Sequence, residues 1–183
     1  LYSGTISGNL IGTAGAPNSG SDVGDGINVE SNGSGGITRV AVLNNVVREV
    51  GQRGIYLAAV DTDIGGGVAP TLEATVQGNS VSNMEASALH GIQVVLGTLA
   101  TDNPVMCFNI SGNTISPIAN GIRMRTMGIA PSTSTPTLRL HGWDGSTPVA
   151  TFLQNQNPAT TGSPAINYLL SGGSVSPGSC TTP

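Results

Sequence analysis

The hexad ISGNTI at residues 110–115 decides the fold, because the chain repeats it. The pattern apolar-x-Gly-Asn-x-apolar recurs as ISGNLI at 6–11 and VQGNSV at 76–81, and in a degenerate form as VLNNVV at 42–47. The asparagines of these four hexads are spaced by 36, 34 and 34 residues, and FLQNQN at 152–157 is a looser fifth copy. A period of this length predicts stacked repeats, as in helical arrays, propellers and β-solenoids.

A second motif, Gly-Ile followed by alternating residues, selects among these architectures. One copy follows each hexad: DGINVE at 25–30, RGIYLA at 53–58, HGIQVV at 90–95 and NGIRMR at 120–125. Apolar residues alternate after each Gly-Ile, which is strand periodicity, and no segment keeps helical spacing over three turns. A propeller is disfavoured because aromatic residues make up only 3% of the chain. The pattern therefore favours a parallel β-solenoid with two or three short strands in each coil.

Stacking of coils gives the hexad a physical meaning. Successive coils lie about 4.8 Å apart, so equivalent residues lie directly above one another. The flanking apolar residues are expected to point into the bore, and Gly-Asn to turn the corner, because both residue types accept positive φ. Stacked Asn side chains can also hydrogen-bond along the axis. The predicted ladder consists of Asn9, Asn45, Asn79, Asn113 and Asn155.

The segments GNSVSNMEASALHGIQVV at 78–95 and GNTISPIANGIRMR at 112–125 resemble coils of the right-handed parallel β-helix, the pectate-lyase-like superfamily. That superfamily includes pectate lyases, phage tailspikes and many secreted or surface proteins of bacteria. The resemblance covers about residues 4–157 and concerns the fold, which carries lyases, hydrolases, esterases, adhesins and inert scaffolds. It implies an all-β, right-handed parallel β-helix of about five irregular coils, with long loops on one side and a C-terminal cap.

We predict a single structural unit, with coils over 1–157 and a closing strand and tail over 158–183. TLRLHGW at 137–143 and PVATFL at 148–153 are predicted to be strands of an irregular last coil. Because the chain opens directly on a hexad, we expect coils to continue upstream in the intact protein.

The surface is polar but carries few charges. Charged residues are 9% of the chain, against roughly 25% in ordinary domains, Lys is absent, and the net charge is -4. A nucleic-acid partner is disfavoured, because phosphate binding relies on clustered positive charge. No apolar run approaches the roughly 20 residues of a membrane-spanning helix.

Cys107 and Cys180 are the only cysteines. In an oxidising compartment they can pair and hold the tail against the body of the fold, and two unpaired thiols are the alternative. Two cysteines supply too few ligands for a metal site of their own.

The residues that follow each Gly-Ile form a candidate ligand surface. If each Ile faces the bore, the next residue faces outward, and stacking aligns these residues in a file; the residues two positions further on form a parallel file. Arg in such files can bind the carboxylates of a glycan, and a solvated strand face is the alternative. The candidate ligand-binding residues are Asn28, Glu30, Tyr56, Gln93, Arg123 and Arg125.

No catalytic constellation is predicted. The sequence offers neither a nucleophile elbow nor a carboxylate pair that can be placed for glycoside hydrolysis. Asp22 with Asp25, and Asp61 with Asp63, lie in Gly-rich loops and are candidates for Ca²⁺, with solvated turns as the alternative. No other cofactor is expected.

These observations favour an extracellular or cell-surface bacterial module with a structural or adhesive role, in a larger surface protein or a fibre built by end-to-end stacking. The alternative is a β-helix that binds or degrades polysaccharide. The expected partners are further coils, through self-association, or glycans of a host or matrix.

Overall fold

The computed structural model describes residues 1–33, 35–60, 68–82, 84, 88–97, 103–116, 119–126, 135–170, 173–181 and 183. The first two coils contain β1 (Tyr2–Ser7), β2 (Leu10–Ile11), β3 (Ile27–Asn32), β4 (Ile37–Leu43), β5 (Val46–Arg48) and β6 (Arg53–Val60). The next two contain β7 (Thr71–Gln77), β8 (Ser80–Ser82), β9 (His90–Leu96), β10 (Val105–Ser111), β11 (Thr114–Ile115) and β12 (Asn120–Thr126). The chain then forms β13 (Thr137–His141), α1 (Val149–Gln156), β14 (Ile166–Leu169) and β15 (Ser174–Gly178).

The strands form three parallel sheets, and each turn of the chain passes through all three in order. The first sheet has the order β1-β4-β7-β10-β13-β15, the second β2-β5-β8-β11, and the third β3-β6-β9-β12-β14. Neighbouring strands in each sheet are equivalent strands of successive coils. The fold is therefore an all-β parallel solenoid, as the repeats predict, with about four turns where the sequence suggested about five coils, and the described residues include one short helix.

Stacked apolar side chains fill the bore. In the third sheet one file consists of the isoleucines of the Gly-Ile motifs, continued by a fifth from β14: Ile27, Ile55, Ile92, Ile122 and Ile166. In the first sheet the facing file is Val40, Ala74, Phe108 and Leu140. These residues belong to one continuous core cluster. Each fully buried side chain of this size contributes roughly 1.5–3 kcal/mol through its removal from water.

The glycines of the Gly-Ile motif are required by close packing between coils. A Cβ atom on Gly54 would lie 2.6 Å from the carbonyl oxygen of Gly91 and would also meet Val81. A Cβ atom on Gly91 would lie 2.8 Å from the carbonyl oxygen of Gly121 and would meet Ile115. The corresponding contacts elsewhere join Gly26 to Val47 and Gly121 to Thr160. At Gly26, Gly54 and Gly91 a side chain of the hexad strand occupies the space that the glycine leaves, so the two sequence motifs are two halves of one contact. At Gly121 the side chain is that of Thr160, which follows the fifth hexad.

The asparagine ladder runs through four hexads. Asn45 donates from its backbone N and from Nδ2 to Asn79 Oδ1, both at 3.0 Å, and Asn79 donates in the same way to Asn113. Asn9 makes the equivalent pair of bonds to Asn45. Each Nδ2 also reaches a backbone carbonyl, such as Val42 O for Asn79. The buried amides are thereby satisfied only when successive coils are in register.

The residue before each ladder asparagine takes the positive φ of the corner. Gly8, Gly78 and Gly112 have φ of 66°, 68° and 65°. In the degenerate hexad Asn44 holds this position with φ 53°. The hexad VLNNVV can therefore form the corner without glycine, since Asn is the non-glycine residue that best accepts this conformation.

The predicted fifth position of the ladder, Asn155, is wrong. Asn157, and not Asn155, accepts the bonds from Asn113, at 3.0 and 2.9 Å, and Asn155 is exposed. The prediction of a strand at 148–153 is wrong for the same reason, because Val149–Gln156 is a helix. Phe152 and Leu153 are buried, and Val149 packs against the core three residues earlier, which is helical spacing. A helix advances 1.5 Å per residue against about 3.3 Å for a strand, so more residues are needed to reach the same corner.

The segment after the helix adds strands to two of the sheets. β14 pairs with β12 in the third sheet, and β15 pairs with β13 in the first. Residues 158–183 therefore contain two strands, where the sequence suggested one closing strand and a tail. Cys180, which follows β15, forms a disulfide with Cys107 of β10, with a Cα–Cα distance of 5.3 Å. The bridge holds the end of the chain on the outer face of the first sheet.

Long connections join consecutive sheets at two corners of the solenoid. Segments 61–70, 97–104 and 127–136 all lead from the third sheet to the first, and 12–26 leads from the second sheet to the third. The corners therefore absorb the differences in coil length without changing the stacking.

We predict that Gly91→Ala lowers the free energy of unfolding by about 1–3 kcal/mol or more, because the new methyl group overlaps backbone and Ile115. Urea unfolding followed by circular dichroism measures the change. Gly4→Ala is the matched control, since a Cβ atom at Gly4 meets nothing within 4 Å. Equal stability of the two variants would contradict the proposed packing role.

We also expect Asn79→Ala to lose about 2–4 kcal/mol of stability, because it leaves buried donors and acceptors of the ladder without partners. Asn155→Ala, on the exposed face of α1, should change stability by no more than about 0.5 kcal/mol. The same urea titration compares them, and a large effect at Asn155 would restore the original assignment of the fifth ladder position.

Candidate functional site

The predicted outward files are present on the outer face of the third sheet. Asn28, Tyr56, Gln93 and Arg123 pair in register across β3, β6, β9 and β12. Glu30, Ala58, Val95 and Arg125 do the same two residues further on. The repeat register therefore places all six candidate residues on one face.

Solvent reaches the two ends of these files but not their middle. Tyr56 is 8% exposed and Gln93 2% exposed. Together with Val60, Tyr56, Ala58 and Val95 form a small buried cluster outside the bore. Asn28 and Glu30 are exposed on β3, and Arg123 and Arg125 are partly exposed on β12. The six residues do not line one continuous groove.

A third file lies at the position before each motif glycine. It consists of Asp25, Arg53, His90 and Asn120, of which Arg53, His90 and Asn120 pair in register. Arg53 Nε donates to Asp25 Oδ1 at 2.6 Å, in a pair whose side chains are 20% and 6% exposed. The guanidinium carbon of Arg53 lies 3.8 Å from the centre of the Tyr56 ring. Arg53 is thus neutralised by a carboxylate and stacked on an aromatic face.

His90 is buried between two groups of β12. Its Nε2 lies 2.9 Å from Arg123 Nη1, and its Nδ1 lies 2.9 Å from the Asn120 side-chain amide. Because a guanidinium can only donate, Nε2 must be the acceptor, so the ring proton lies on Nδ1. Asn120 Oδ1 can accept that proton when the Asn120 amide and the Asn167 amide, 2.9 Å away, both turn by 180°, so that Asn120 Nδ2 donates to Asn167 Oδ1 in place of the reverse bond.

Burial lowers the pKa of His90 to about 4, and the charges of Arg123, Arg125 and Arg53 act in the same direction. His90 is therefore neutral at pH 7 and serves as an acceptor that fixes the Arg123 side chain. Burial, followed by the charge of Arg123, also lowers the pKa of Arg125 from its ordinary value. Desolvation likewise raises the pKa of Tyr56.

Arg123 and Arg125 keep unused donors. The Nε atoms of both are buried and have no hydrogen-bond partner in the part of the chain that the structure describes. Arg123 donates from Nη1 to His90 Nε2, and this bond does not involve its Nε. The outer face of β12 therefore carries two guanidinium groups that no carboxylate of the described residues neutralises.

The calcium candidates do not come together as a site. Asp25 is paired with Arg53 and Asp22 is exposed, while Asp61 and Asp63 lie outside the described residues. Within the described ranges, no group of three or more His, Cys, Asp or Glu residues is arranged to hold a metal ion.

The residues around Trp143 form a structural turn. Asp144 accepts hydrogen bonds from the backbone N and the hydroxyl of both Ser146 and Thr147, and these bonds lower its pKa. Trp143 Nε1 donates to Thr147 O at 2.7 Å, and the indole packs against the core. His141 is exposed on β13. The cluster therefore stabilises the connection to α1.

Sequence reasoning missed the roles of Arg53, His90 and Asn120. The signal was present, because each residue directly precedes the glycine of a Gly-Ile motif and so occupies the same position of the repeat. Their hydrogen bonds and the burial of His90 could not be read from that position.

No protein-family model, no curated protein and no solved structure matches this chain. The fold and the outer face therefore define its class, a parallel β-solenoid with two arginines, Arg123 and Arg125, on the outer face of β12. Among the described residues, none of the helical structure is long and apolar enough to cross a membrane.

We predict that His90 makes stability depend on pH. Between pH 6.5 and about 4 the unfolded chain binds a proton at this residue that the folded chain does not, so the free energy of unfolding falls as the pH falls. From pH 7 to pH 4.5 the loss due to His90 is about 2–3 kcal/mol. Urea unfolding at the two pH values measures it.

His90→Gln should remove this part of the pH dependence, and His141→Gln, at the exposed histidine, should retain it. If the two variants respond equally to pH, His90 is not the group responsible.

Proposed function

We propose that the chain is an extracellular structural or adhesive module of the pectate-lyase-like β-helix type, on a bacterial surface, whose first coil pairs with a further coil of the same kind. The observation that carries this proposal is the open face, defined by the unpaired edges of β1, β2 and β3. These strands are the terminal members of all three sheets at one end of the solenoid.

The open face has unused bonding capacity. β1 pairs with β4 on one side only, so its outer edge presents free backbone donors and acceptors. Asn9 heads the ladder, and its Oδ1 accepts no hydrogen bond from the described residues. Strand edges of this kind form templates for pairing with another chain.

The apolar surface at this end is also unusual for a monomer. Tyr2 is 75% exposed and Leu10 is 69% exposed. Two shallow cavities open between the strands of the first coil, and their walls include Ile6, Ile11 and Ile27, three residues that face the bore. Contiguous exposed apolar surface of this kind commonly marks an interaction site.

The opposite end is blunted at the first and second sheets but leaves the edge of β14 unpaired in the third, which favours pairs over a fibre. α1 lies at the end of the second sheet in place of a strand, with Phe152 and Leu153 in the core. β15 is the edge of the first sheet, and Pro177 within it has no backbone N–H to donate. A fibre of stacked coils needs two open ends, whereas one open face permits a symmetric pair in which both copies use the same surface.

An extracellular setting is supported by the Cys107–Cys180 disulfide, because such bridges persist in oxidising compartments. The absence of lysine and the low charge content agree with a structural role, in which the polar surface is exposed to solvent.

Polysaccharide binding is the second candidate function. It is supported by Arg123 and Arg125 of β12, which no carboxylate of the described residues neutralises. Degradation has less support, because Asp25 is held by Arg53 and Glu30 by Asn28 and Asn32. Glycoside hydrolysis needs two carboxylates on either side of the scissile bond.

We expect the purified chain to have twice the mass of a single copy, as measured by size-exclusion chromatography with light scattering over a range of concentrations. Leu10→Asp should shift it to the single-copy mass, because it places a charge beside one of the two cavities of the first coil. Leu169→Asp is the matched control, since Leu169 is 53% exposed on β14, at the opposite end of the third sheet.

A single-copy mass for the unaltered chain at all concentrations would refute joining through this face. A dimer that survives Leu10→Asp would place the contact elsewhere. Regular fibres seen by electron microscopy would show that the helical end is not blunted, and would contradict the preference for pairs.

A further inference from the structure

We propose that Arg123 and Arg125 form a binding site for an oxyanion, a carboxylate or sulfate group of an acidic ligand. The site lies on the outer face of the third sheet, on β12, and is independent of joining through the open face. The first argument is positional: two residues apart on one strand, both side chains project from the same side of the sheet.

The second argument is the unused donors. Arg123 is held by its Nη1 bond to His90 Nε2, so its orientation is set, and its buried Nε has no hydrogen-bond partner in the part of the chain that the structure describes. Arg125 has a buried Nε without a partner and makes no hydrogen bond to the described residues. A buried polar donor without a partner is unfavourable, and an anion would relieve both that cost and the mutual repulsion of the two cations.

Two other arginines of the chain, Arg39 and Arg53, show which groups bind to the Nε atom. Arg53 Nε binds Asp25 Oδ1 at 2.6 Å, and Arg39 Nε binds Glu73 Oε2 at 2.6 Å. In both cases a carboxylate oxygen of the chain accepts the hydrogen bond of Nε, whereas the Nε atoms of Arg123 and Arg125 have no such partner among the described residues. A ligand carboxylate or sulfate presents the same oxygens, and Arg binds such groups through two parallel hydrogen bonds.

The groups near Arg123 and Arg125 do not compete with a ligand anion for the two guanidinium groups. His90 is kept neutral by burial and by Arg123, Arg125 and Arg53, so it does not compete for the anion as a charged donor. Among the described residues of the third sheet, Asp25 is already bound to Arg53, and Glu30 lies three strands away on β3, where it accepts from Asn28 and Asn32. The positive charge at β12 is therefore available to a ligand.

The test is an NMR titration at pH 7 with sulfate, glucuronate or inorganic phosphate, at ionic strength held constant with chloride. We expect saturable shifts of the Arg123 and Arg125 Nε–H signals with sulfate and glucuronate. The pKa of His90 should also rise when the site is filled, because a bound anion offsets the arginine charges that face it from β6 and β12.

Arg125→Gln should weaken binding at least tenfold, which corresponds to about 1.4 kcal/mol. Arg125→Lys keeps the charge but loses the planar edge, so it should bind more weakly than the parent and more tightly than Arg125→Gln. Arg139→Gln, at an exposed arginine on β13, is the matched control and should bind like the parent.

Shifts that grow linearly without saturation, or equal affinities for Arg125→Gln and Arg139→Gln, would overturn the proposal. A preference for phosphate over both sulfate and glucuronate would also contradict the assignment to carboxylate and sulfate groups. Thermal melting of each variant shows that it is folded, and Arg125→Lys provides the comparison if Arg125→Gln does not fold. Leu10→Asp should leave the titration unchanged, which separates this site from the proposed pairing.

Discussion

The register between successive coils is the constraint on which the structure depends, and the asparagine ladder enforces it. A buried amide has donors and an acceptor that must be satisfied, and here each amide finds its partners in the coils above and below. A slip of one residue would remove these bonds and turn the side chains of the affected strand from the bore to the outer face. The contact of Gly26, Gly54 and Gly91 with a hexad side chain adds a steric limit at the neighbouring corner.

Because register is reset once in every coil, the connections between strands are free to vary. The ladder spans 34 residues in two of the coils and 44 in the coil that contains α1, yet the bonds at each step keep nearly the same lengths. The stacking also turns each position of the repeat into a file on the surface. One such position carries the series Asp25, Arg53, His90 and Asn120, in which Asp25 complements Arg53 by charge and His90 is hydrogen-bonded to Asn120.

The two ends of the solenoid differ in kind. At one end the bore, the strand edges and the ladder stop at surfaces that a further coil could extend. At the other end α1 replaces a strand, Pro177 weakens the edge of the first sheet, and Asn157 closes the ladder by donating to Leu153 O and Ile110 O. This asymmetry supports a directional contact, and the outer face of β12 remains accessible whether or not that contact forms.

The sequence by itself determined the parallel solenoid, the inward and outward positions of its strands, and the ladder from Asn9 to Asn113. These features follow from local periodicity repeated in every coil, so a pattern of residues is enough to predict them. Only the tertiary structure decided that Tyr56 and Gln93 are buried, that His90 orients Arg123, and that Asn157 completes the ladder after a helix. Those outcomes depend on groups brought together from different coils and on a rise per residue that changes between strand and helix, and neither is encoded in the period of the repeat.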